Sequence, residues 1–194
     1  MLMRNERLAT LHTSFDDATQ TLTILRDGNQ VAKGQLTTTI GRQLIEQFLS
    51  SYFAKELRGA PRIVRAAGHS FSDVPMQCMH IVNLASLREL ERATGRTVHP
   101  LRFRANMYID GIPAWEEFEW IGNTLRVGTA ELIVLSRTER CDATNVDPSS
   151  AERNMSIPSA LQRQWNHRDF GIYAKVAVSG SIAEGDHLSV CEPI

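Results

Sequence analysis

Cys141 is well suited, by residue type and position, to nucleophilic or metal-ligating chemistry. It follows an apolar segment and begins a polar, turn-rich one, and reactive groups collect in loops at strand ends. The thiolate is the form of cysteine that attacks electrophiles and binds soft metals. Arg137 and Arg140 favour the thiolate, whereas Glu139 and Asp142 disfavour it. The residues alone therefore leave open whether this thiol is activated or incidental.

Residues 101–109 alternate between apolar and polar side chains, which is typical of a strand. Arg102, Arg104, Asn106 and Tyr108 would share one face of that strand, about 7 Å apart from one to the next. Two guanidinium groups and an amide in a row suit a multiply charged anion such as phosphate. The alternative is a half-buried strand whose arginines simply face water.

Other residues give weaker patterns. Glu117 and Glu119 would share a strand face, which suggests either the paired carboxylates of a hydrolase or an exposed polar face. Cys78 and Cys191 are expected to be chemically inert. The six histidines lack the spacing of zinc sites, and no glycine-rich phosphate loop or nucleophile elbow is present. The sequence thus predicts neither a zinc enzyme nor a Rossmann-type nucleotide enzyme.

The overall composition excludes several protein classes. The chain has 194 residues, of which 42% are hydrophobic and 22% are charged, so disorder is not expected. A net charge of -1 gives no basic surplus for nucleic acid or an anionic membrane. The apolar stretch 130–135 is far shorter than the ~20 residues of a membrane helix. Three cysteines and an early charged segment predict a reducing cytoplasmic location without a signal peptide.

The hydrophobic pattern predicts a mainly β protein with attached helices. Predicted strands are residues 8–15, 21–25, 31–36, 79–82, 101–109, 114–120, 124–127, 131–135, 171–178 and 187–190. Predicted helices are residues 40–57, a short helix from a capping box at 86–89 to about residue 95, and residues 156–165. Many short strands with few helices favour a barrel-like core. We expect the first helix to pack on that barrel through its apolar stripe.

Several short motifs, taken in order along the chain, resemble one known family. They are Phe71-Ser72-Asp73, Asn83-Leu84-Ala85-Ser86-Leu87, Arg102-Phe103-Arg104-Ala105-Asn106, Trp120-Ile121-Gly122, Arg140-Cys141 with Thr144 and Val146-Asp147-Pro148, Phe170-Gly171-Ile172-Tyr173, and Gly180-Ser181-Ile182 with Gly185-Asp186. This order resembles the MOSC domain, named for the carboxy-terminal domain of molybdenum cofactor sulfurase. It is more similar still to the branch that contains the mitochondrial amidoxime reducing component and its bacterial relatives. The resemblance extends from about Gly68 to the chain end and implies a MOSC-type β-barrel.

The resemblance also implies a molybdenum-pterin cofactor and a set of residues that bind it. In the reductase branch the cysteine at the position of Cys141 ligates molybdenum, and the residues at Arg104 and Asn106 contact the phosphate end of the cofactor. The expected cofactor-binding residues are Ser72, Asp73, Arg102, Arg104, Asn106, Thr144 and Asp147. Pyridoxal phosphate is not expected to bind this domain alone.

Three functions follow as hypotheses. The first is a molybdenum-dependent reductase of N-hydroxylated or similar small substrates, supplied with electrons by a separate protein, since no flavin, haem or iron–sulfur motif is visible. The second is a sulfur carrier or sulfurtransferase that uses a persulfide on Cys141. The third is a non-catalytic binding module. None of these three functions requires nucleic acid or a membrane as a partner.

The resemblance implies a domain boundary at residue 60. The sequence differs from the family pattern in two places. Residues 1–60 are expected to be a remnant of an upstream β module plus the helix on the barrel, and residues 61–194 the MOSC domain. Ala105 replaces the usual proline of the family motif. Residues 7–11 resemble the end of the upstream module, so we expect either a start codon assigned too far downstream or a truncated domain.

Overall fold

A computed structural model of the chain describes residues 2–66, 74 and 76–191. Ser72 and Asp73, two of the expected cofactor-binding residues, lie outside the described residues. Within the described part, no helix is long and apolar enough to span a membrane. The chain forms two compact units, one made of Met1–Gly68 with Pro148–Glu152 and the other of His69–Asp147 with Arg153–Ile194.

The first unit contains a three-stranded antiparallel meander and one α-helix. Its elements are β1 (Leu11–Asp16), β2 (Thr21–Arg26), β3 (Asn29–Gln35) and α1 (Thr39–Tyr52), preceded by a short 3-10 helix at Glu6–Thr10. Asp27 and Gly28 both have positive φ angles, of 51° and 76°. Two consecutive left-handed residues form the tight turn that suits the twist of a β-hairpin. The hairpin predicted at this dipeptide is confirmed.

Helix α1 was predicted at residues 40–57, and it ends earlier, at Tyr52. The Oγ1 of Thr38 accepts a hydrogen bond of 3.0 Å from the Gly41 N–H, so the N-cap is Thr38. The helix packs on β3 at a point where two glycine backbones touch, Gly34 and Gly41. The expectation that α1 packs on the barrel stays a prediction.

We expect Gly34→Ala to lower the free energy of unfolding of the first unit by about 1–3 kcal/mol, as overpacking does in well-packed interiors. A Cβ at this position would lie 2.1 Å from the Gly41 carbonyl oxygen, so β3 and α1 would have to separate. Chemical denaturation measures the change. Gly59→Ala is the matched control, because no atom lies within 4 Å of its Cβ position. Equal stability of the two variants would contradict the close contact between the Gly34 and Gly41 backbones.

The second unit contains a curled, half-barrel sheet in the strand order β5-β4-β8-β7-β6-β9. All neighbouring strands pair antiparallel except β4 and β5, which are parallel. The elements are β4 (Met79–Asn83), α2 (Leu84–Thr94), β5 (Met107–Ile109), β6 (Thr124–Val127), β7 (Ala130–Glu139), α3 (Ile157–Trp165), β8 (Asp169–Val178) and β9 (Leu188–Cys191). The mainly β fold class with attached helices is confirmed.

Two apolar clusters bury the faces of this sheet. One cluster lies within the curl and contains Leu125, Leu132, Val134 and Ile172 among others. The second combines residues of α2 and α3 with Phe103 and Phe170, whose rings stack with centroids 4.0 Å apart. The segment around Phe103 is therefore held by packing, which matters because it carries two of the predicted site residues.

The prediction of one strand at residues 101–109 is wrong. Pro100–Phe103 is a 3-10 helix, Arg104 has a φ of +52°, and only Met107–Ile109 is a strand. Proline is favoured in the first turn of a helix, and His99 Nδ1 accepts a hydrogen bond from the Leu101 N–H at that helix start. Arg102, Arg104 and Asn106 consequently do not share a strand face.

The prediction of a strand at residues 114–120 is also wrong, because Glu116–Trp120 is a 3-10 helix. Glu117, expected to be exposed, is fully buried. Its carboxyl group accepts hydrogen bonds from Asn83 Nδ2 (2.8 Å) and Ser86 Oγ (2.9 Å). Burial raises the pKa of Glu117, while these two donors act in the opposite direction. The pair of carboxylates proposed as a hydrolase feature therefore does not form.

The same network corrects the predicted start of α2. The N-cap is Asn83, whose Oδ1 accepts a hydrogen bond of 2.9 Å from the Ala85 N–H. Ser86, predicted as the first residue of a capping box, lies inside the helix and is buried against Glu117. The end predicted near Gly95 is confirmed, since Gly95 is the left-handed C-cap.

Candidate functional site

Cys141 is the second residue after β7 and is exposed. The β7–β8 ladder continues one step past the strand end, because the Arg140 N–H donates to the Arg168 carbonyl at 3.0 Å. Cys141 then has an extended backbone, and its carbonyl oxygen accepts hydrogen bonds from the Thr144 N–H (3.2 Å) and Oγ1 (2.9 Å). The thiol is thus presented from a backbone that is held on both sides.

Arg102 and Asp147 hold the loop that follows Cys141. The Arg102 guanidinium is buried and donates to Asp147 Oδ2 at 2.8 Å and to Asn154 Oδ1 at 2.6 Å. It also donates to the Asn145 carbonyl at 3.0 Å. A buried guanidinium needs such partners, because an unpaired charge is costly away from water. These contacts give Arg102, Asp147 and Thr144 a positioning task, and the expectation that they touch a cofactor directly stays a prediction.

Arg140 was expected to influence the Cys141 thiol by its charge and belongs to the Arg140-Cys141 motif, but it was not among the expected site residues. Its Nη2 donates to the Phe103 carbonyl at 2.9 Å, and its Nη1 lies 3.3 Å from His80 Nε2. The guanidinium also lies 5.6 Å from the centroid of the Phe103 ring. Arg140 therefore connects the Cys141 strand end to the segment that carries Arg104. Its place beside Cys141 was the one available signal for this role.

His80 is the second residue of the site that the sequence did not indicate. It is buried, and burial together with the nearby Arg140 charge lowers its pKa to about 4. The ring is therefore neutral at pH 7, and its Nε2 also lies 3.2 Å from the Phe170 carbonyl oxygen. A guanidinium can only donate, so Nε2 accepts from Arg140 in one tautomer and donates to Phe170 in the other.

Asn106 is anchored to the same histidine by its backbone. The Asn106 N–H donates to the His80 carbonyl at 2.8 Å, and the His80 N–H donates to Asn106 Oδ1 at 2.8 Å. The side-chain amino group of Asn106 has no hydrogen-bond partner among the described residues and remains able to donate. The side chain of this asparagine is thus held by its oxygen atom.

Arg104 is exposed, and its guanidinium makes neither a hydrogen bond nor an ion pair with any residue in the described ranges. Its φ of +52° is unusual for a residue with a side chain. The backbone is kept in this conformation by the Arg104 N–H, which donates to the Leu101 carbonyl, and by Arg140, which binds the preceding carbonyl. Two hydrogen bonds thus stabilise a backbone conformation that exposes a cation without a partner among the described residues.

The structure brings five residues, three of them predicted and two newly found, into one connected group. Arg140 adjoins Cys141 in the chain, binds the carbonyl group that precedes Arg104, and contacts His80, whose backbone is paired with Asn106. An exposed cysteine is thus linked through one central arginine to a guanidinium and an amide nitrogen that have no hydrogen-bond partner among the described residues. Such a set can offer a soft ligand and anion-binding donors together.

Comparisons with known proteins identify the family of the part of the chain that carries this group. A sequence model of the MOSC domain matches residues 68–189. Over 121 residues the chain is 31% identical to molybdenum cofactor sulfurase of Drosophila erecta, covering 58% of this chain and 15% of that protein. Over 118 residues it is 29% identical to mitochondrial amidoxime reducing component 2 of Bos taurus, covering 55% of this chain and 34% of that protein. The chain thus spans about a third or less of the length of these relatives.

Two solved structures are similar to part of the chain. One is the crystal structure of YiiM from Geobacillus stearothermophilus, with 20% identity and a TM-score of 0.47 over 59% of this chain and 54% of that one. The other is the YuaD protein of Bacillus subtilis, with 21% identity and a TM-score of 0.45 over 58% of this chain and 62% of that one.

Proposed function

The chain belongs to the MOSC domain family, and from that premise we propose that it acts in molybdenum-cofactor chemistry with Cys141 as the reactive group. Both curated relatives support this direction, since one is named for sulfuration of the cofactor and the other for reduction of amidoximes. Of the possible activities, we propose reduction of N-hydroxylated or similar small molecules. Electrons would come from a separate donor protein.

The connected group around Arg140 is the observation that carries the proposal. A molybdenum-pterin cofactor combines a soft metal centre with an anionic phosphate end. Cys141 offers an exposed cysteine for the metal, while Arg104 and Asn106 offer the phosphate N–H donors that have no partner among the described residues. The donor set therefore fits the group. When bound, the cofactor would supply the two-electron redox chemistry, and the protein would supply its ligand, its anchor and the surrounding surface.

The residues of the chain would perform distinct tasks in this site. The Cys141 thiolate would act as the metal ligand, on a backbone held by Thr144 and, further along the loop, by Arg102 with Asp147. Arg104 would donate to the phosphate, since a guanidinium and a phosphate form strong charge-assisted hydrogen bonds. His80 would stay neutral beside Arg140 and thereby avoid a second positive charge in the buried part of the site.

A second candidate function rests on the exposure of the Cys141 thiol. A persulfide carrier needs a sulfur atom that partner molecules can reach, and Cys141 meets this requirement. The name molybdenum cofactor sulfurase of one set of relatives favours the same chemistry. In that case Arg104 and Asn106 would hold the anionic acceptor of the sulfur atom.

Metal analysis of the protein expressed with molybdate separates the two functions. Molybdenum bound in proportion to protein would support the reductase. Protein without metal that releases sulfide on reduction, and reacts with a persulfide-selective probe at Cys141, would support the sulfur carrier. Protein with neither property would contradict both and leave the binding module.

We expect Arg104→Ala to weaken the binding of isolated molybdenum cofactor by about 10- to 150-fold, because a hydrogen bond to a charged group contributes about 1.5–3 kcal/mol. Stability should change little, since the guanidinium has no partner within the described part of the chain. Fluorescence titration of the purified variant measures the affinity. Arg126→Ala is the control, because Arg126 forms an exposed pair with Glu131 on β6 and β7. Equal affinities of wild type and Arg104→Ala would show that Arg104 is not a phosphate ligand.

A further inference from the structure

His80 lies on β4, in contact with the groups that support both expected phosphate donors, Arg104 and Asn106. Its backbone forms two hydrogen bonds with Asn106, because the Asn106 N–H donates to the His80 carbonyl and the His80 N–H donates to Asn106 Oδ1, both at 2.8 Å. Its imidazole lies beside the guanidinium of Arg140, which binds the carbonyl group that precedes Arg104. The backbone and the side chain of His80 therefore support two different donors.

The side chain of His80 acts on the peptide bond between Phe103 and Arg104. Arg140 Nη2 donates to the Phe103 carbonyl oxygen at 2.9 Å, and Nη1 of the same guanidinium lies 3.3 Å from His80 Nε2. A guanidinium is planar and rigid, so an acceptor at one Nη atom fixes the direction in which the other donates. Arg104 has a φ of +52°, which a residue with a side chain rarely adopts, and its peptide bond needs such a support.

The imidazole of His80 is suited to accept a hydrogen bond from Arg140. Burial, and after it the charge of Arg140, lower the pKa of His80 to about 4, while the carbonyl groups of Phe170 and Phe103 act in the opposite direction. The ring is therefore neutral at pH 7, and one nitrogen atom of a neutral imidazole is an acceptor. A hydrogen bond from a charged donor is stronger than one between neutral groups, so we expect Nε2 to accept from Arg140.

The segment 170–173 on β8, which is one of the family motifs, packs against this imidazole. His80 Nε2 lies 3.2 Å from the Phe170 carbonyl oxygen, and the centroid of the Tyr173 ring lies 5.6 Å from that of the imidazole. Gly171 has a φ of +80°, and a Cβ atom at this position would lie 2.6 Å from His80 Nε2. Glycine at this position therefore leaves the space that the imidazole occupies.

We infer that His80 is a positioning residue for the anion-binding pair Arg104 and Asn106, with its imidazole acting on Arg104 through Arg140 and its backbone acting on Asn106. This role rests on the proposed function, in which the two donors bind the phosphate end of the cofactor. His80 is buried, so it acts through these residues and not by touching the cofactor. The segment 170–173 holds the imidazole in place, which gives this motif a task in the site.

Fluorescence titration of the purified full chain with isolated molybdenum cofactor tests this role. His80→Leu removes the acceptor but keeps a side chain that tolerates burial, and it should weaken binding about 10- to 100-fold, as loss of a partner that orients a ligand-binding residue does. His80→Gln should bind within about threefold of wild type, because its amide can accept from Arg140 and donate to the Phe170 carbonyl. A purely structural role of His80 would not predict this rescue.

A double-mutant cycle shows whether the imidazole acts through Arg104. In the Arg104→Ala background, His80→Leu should change the affinity by less than about threefold, because the effects of residues that act through one another are not additive. Ile81→Val is the matched control, since Ile81 is also buried on β4 but belongs to the apolar cluster within the curl, and it should bind as wild type does. If His80→Leu does not fold, Arg140→Lys decides the outcome, because an ammonium group lacks the planar fork of arginine and should weaken binding in the same way.

Four results would overturn the positioning role of His80. They are wild-type affinity in His80→Leu (or in Arg140→Lys where that variant decides), an equal loss of affinity in His80→Gln and His80→Leu, an equal loss in Ile81→Val, and an effect of His80→Leu that is the same with and without the Arg104 side chain. A wild-type protein that does not bind the cofactor would instead refute the proposed function, and the role of His80 with it.

Discussion

Cys141→Ser is expected to abolish the activity of the protein under either proposed function while leaving its stability nearly unchanged. The thiol is exposed, so the serine hydroxyl faces water and carries no burial cost. Serine is close in size to cysteine, but its hydroxyl is a harder ligand and a poor acceptor of sulfur. The variant should lose molybdenum or change its molybdenum absorption spectrum if the thiolate is a metal ligand. It should lose the sulfide released on reduction if the thiolate carries a persulfide.

Cys78→Ser and Cys191→Ser are the matched controls for this experiment. Both cysteines are only partly exposed, and burial raises the pKa of the Cys78 thiol, so less of it is thiolate at neutral pH. Both variants should keep activity, although Cys78→Ser should be less stable, because burying a hydroxyl without a partner costs about 1–3 kcal/mol. Full activity of Cys141→Ser would refute both catalytic hypotheses together.

Asp147→Ala is expected to lower the free energy of unfolding of the second unit by about 1.5–3 kcal/mol, which is the usual contribution of a hydrogen bond to a charged group, because the pair that Asp147 forms with Arg102 is partly buried. The Arg102 side chain is 3% exposed and that of Asp147 22%. Removing the carboxylate leaves the buried Arg102 guanidinium with only neutral hydrogen-bond partners among the described residues. The change is measured by chemical denaturation with a probe in the second unit, such as the fluorescence of Trp120.

Glu131→Ala provides the comparison for that prediction. Glu131 forms an ion pair with Arg126, whose side chain is 58% exposed, and surface pairs contribute only about 0–1 kcal/mol. The Asp147 variant should also react faster with a thiol reagent at Cys141, because the loop that follows this residue loses its anchor. An equal loss of stability in Asp147→Ala and Glu131→Ala would show that Asp147 does not stabilise the buried positive charge of Arg102.

Asp147 shows that a residue of the family motifs can support the loop of a reactive group. The sequence resemblance places Arg102, Thr144 and Asp147 among cofactor-binding residues, and the structure finds them joined to the Cys141 loop by hydrogen bonds. Residues can belong to a functional motif because they support a reactive group, without contacting a ligand. Direct contact with a cofactor is better tested at Arg104 and Asn106, whose side-chain N–H donors have no partner among the described residues.

Local sequence by itself determined the elements whose signals lie within a few residues. The Asp27-Gly28 hairpin follows from two residues that tolerate positive φ. Helix α3 and strands β6, β8 and β9 follow closely from hydrophobic periodicity and flanking turn residues. The exposed position of Cys141 at a strand end was also readable, because an apolar run followed by a polar turn marks such an end.

Tertiary structure alone decided which groups meet. The alternation at residues 101–109 indicated a strand, but Pro100 and packing of the Phe103 ring on Phe170 produce a 3-10 turn there instead. The Arg102–Asp147 contact spans 45 residues, and the Arg140–His80 contact spans 60. Periodicity reports which face of an element is apolar, but a charge is buried only where a distant partner satisfies it. The positions of Arg102 and Glu117 inside the protein therefore depended on partners that no local pattern reveals.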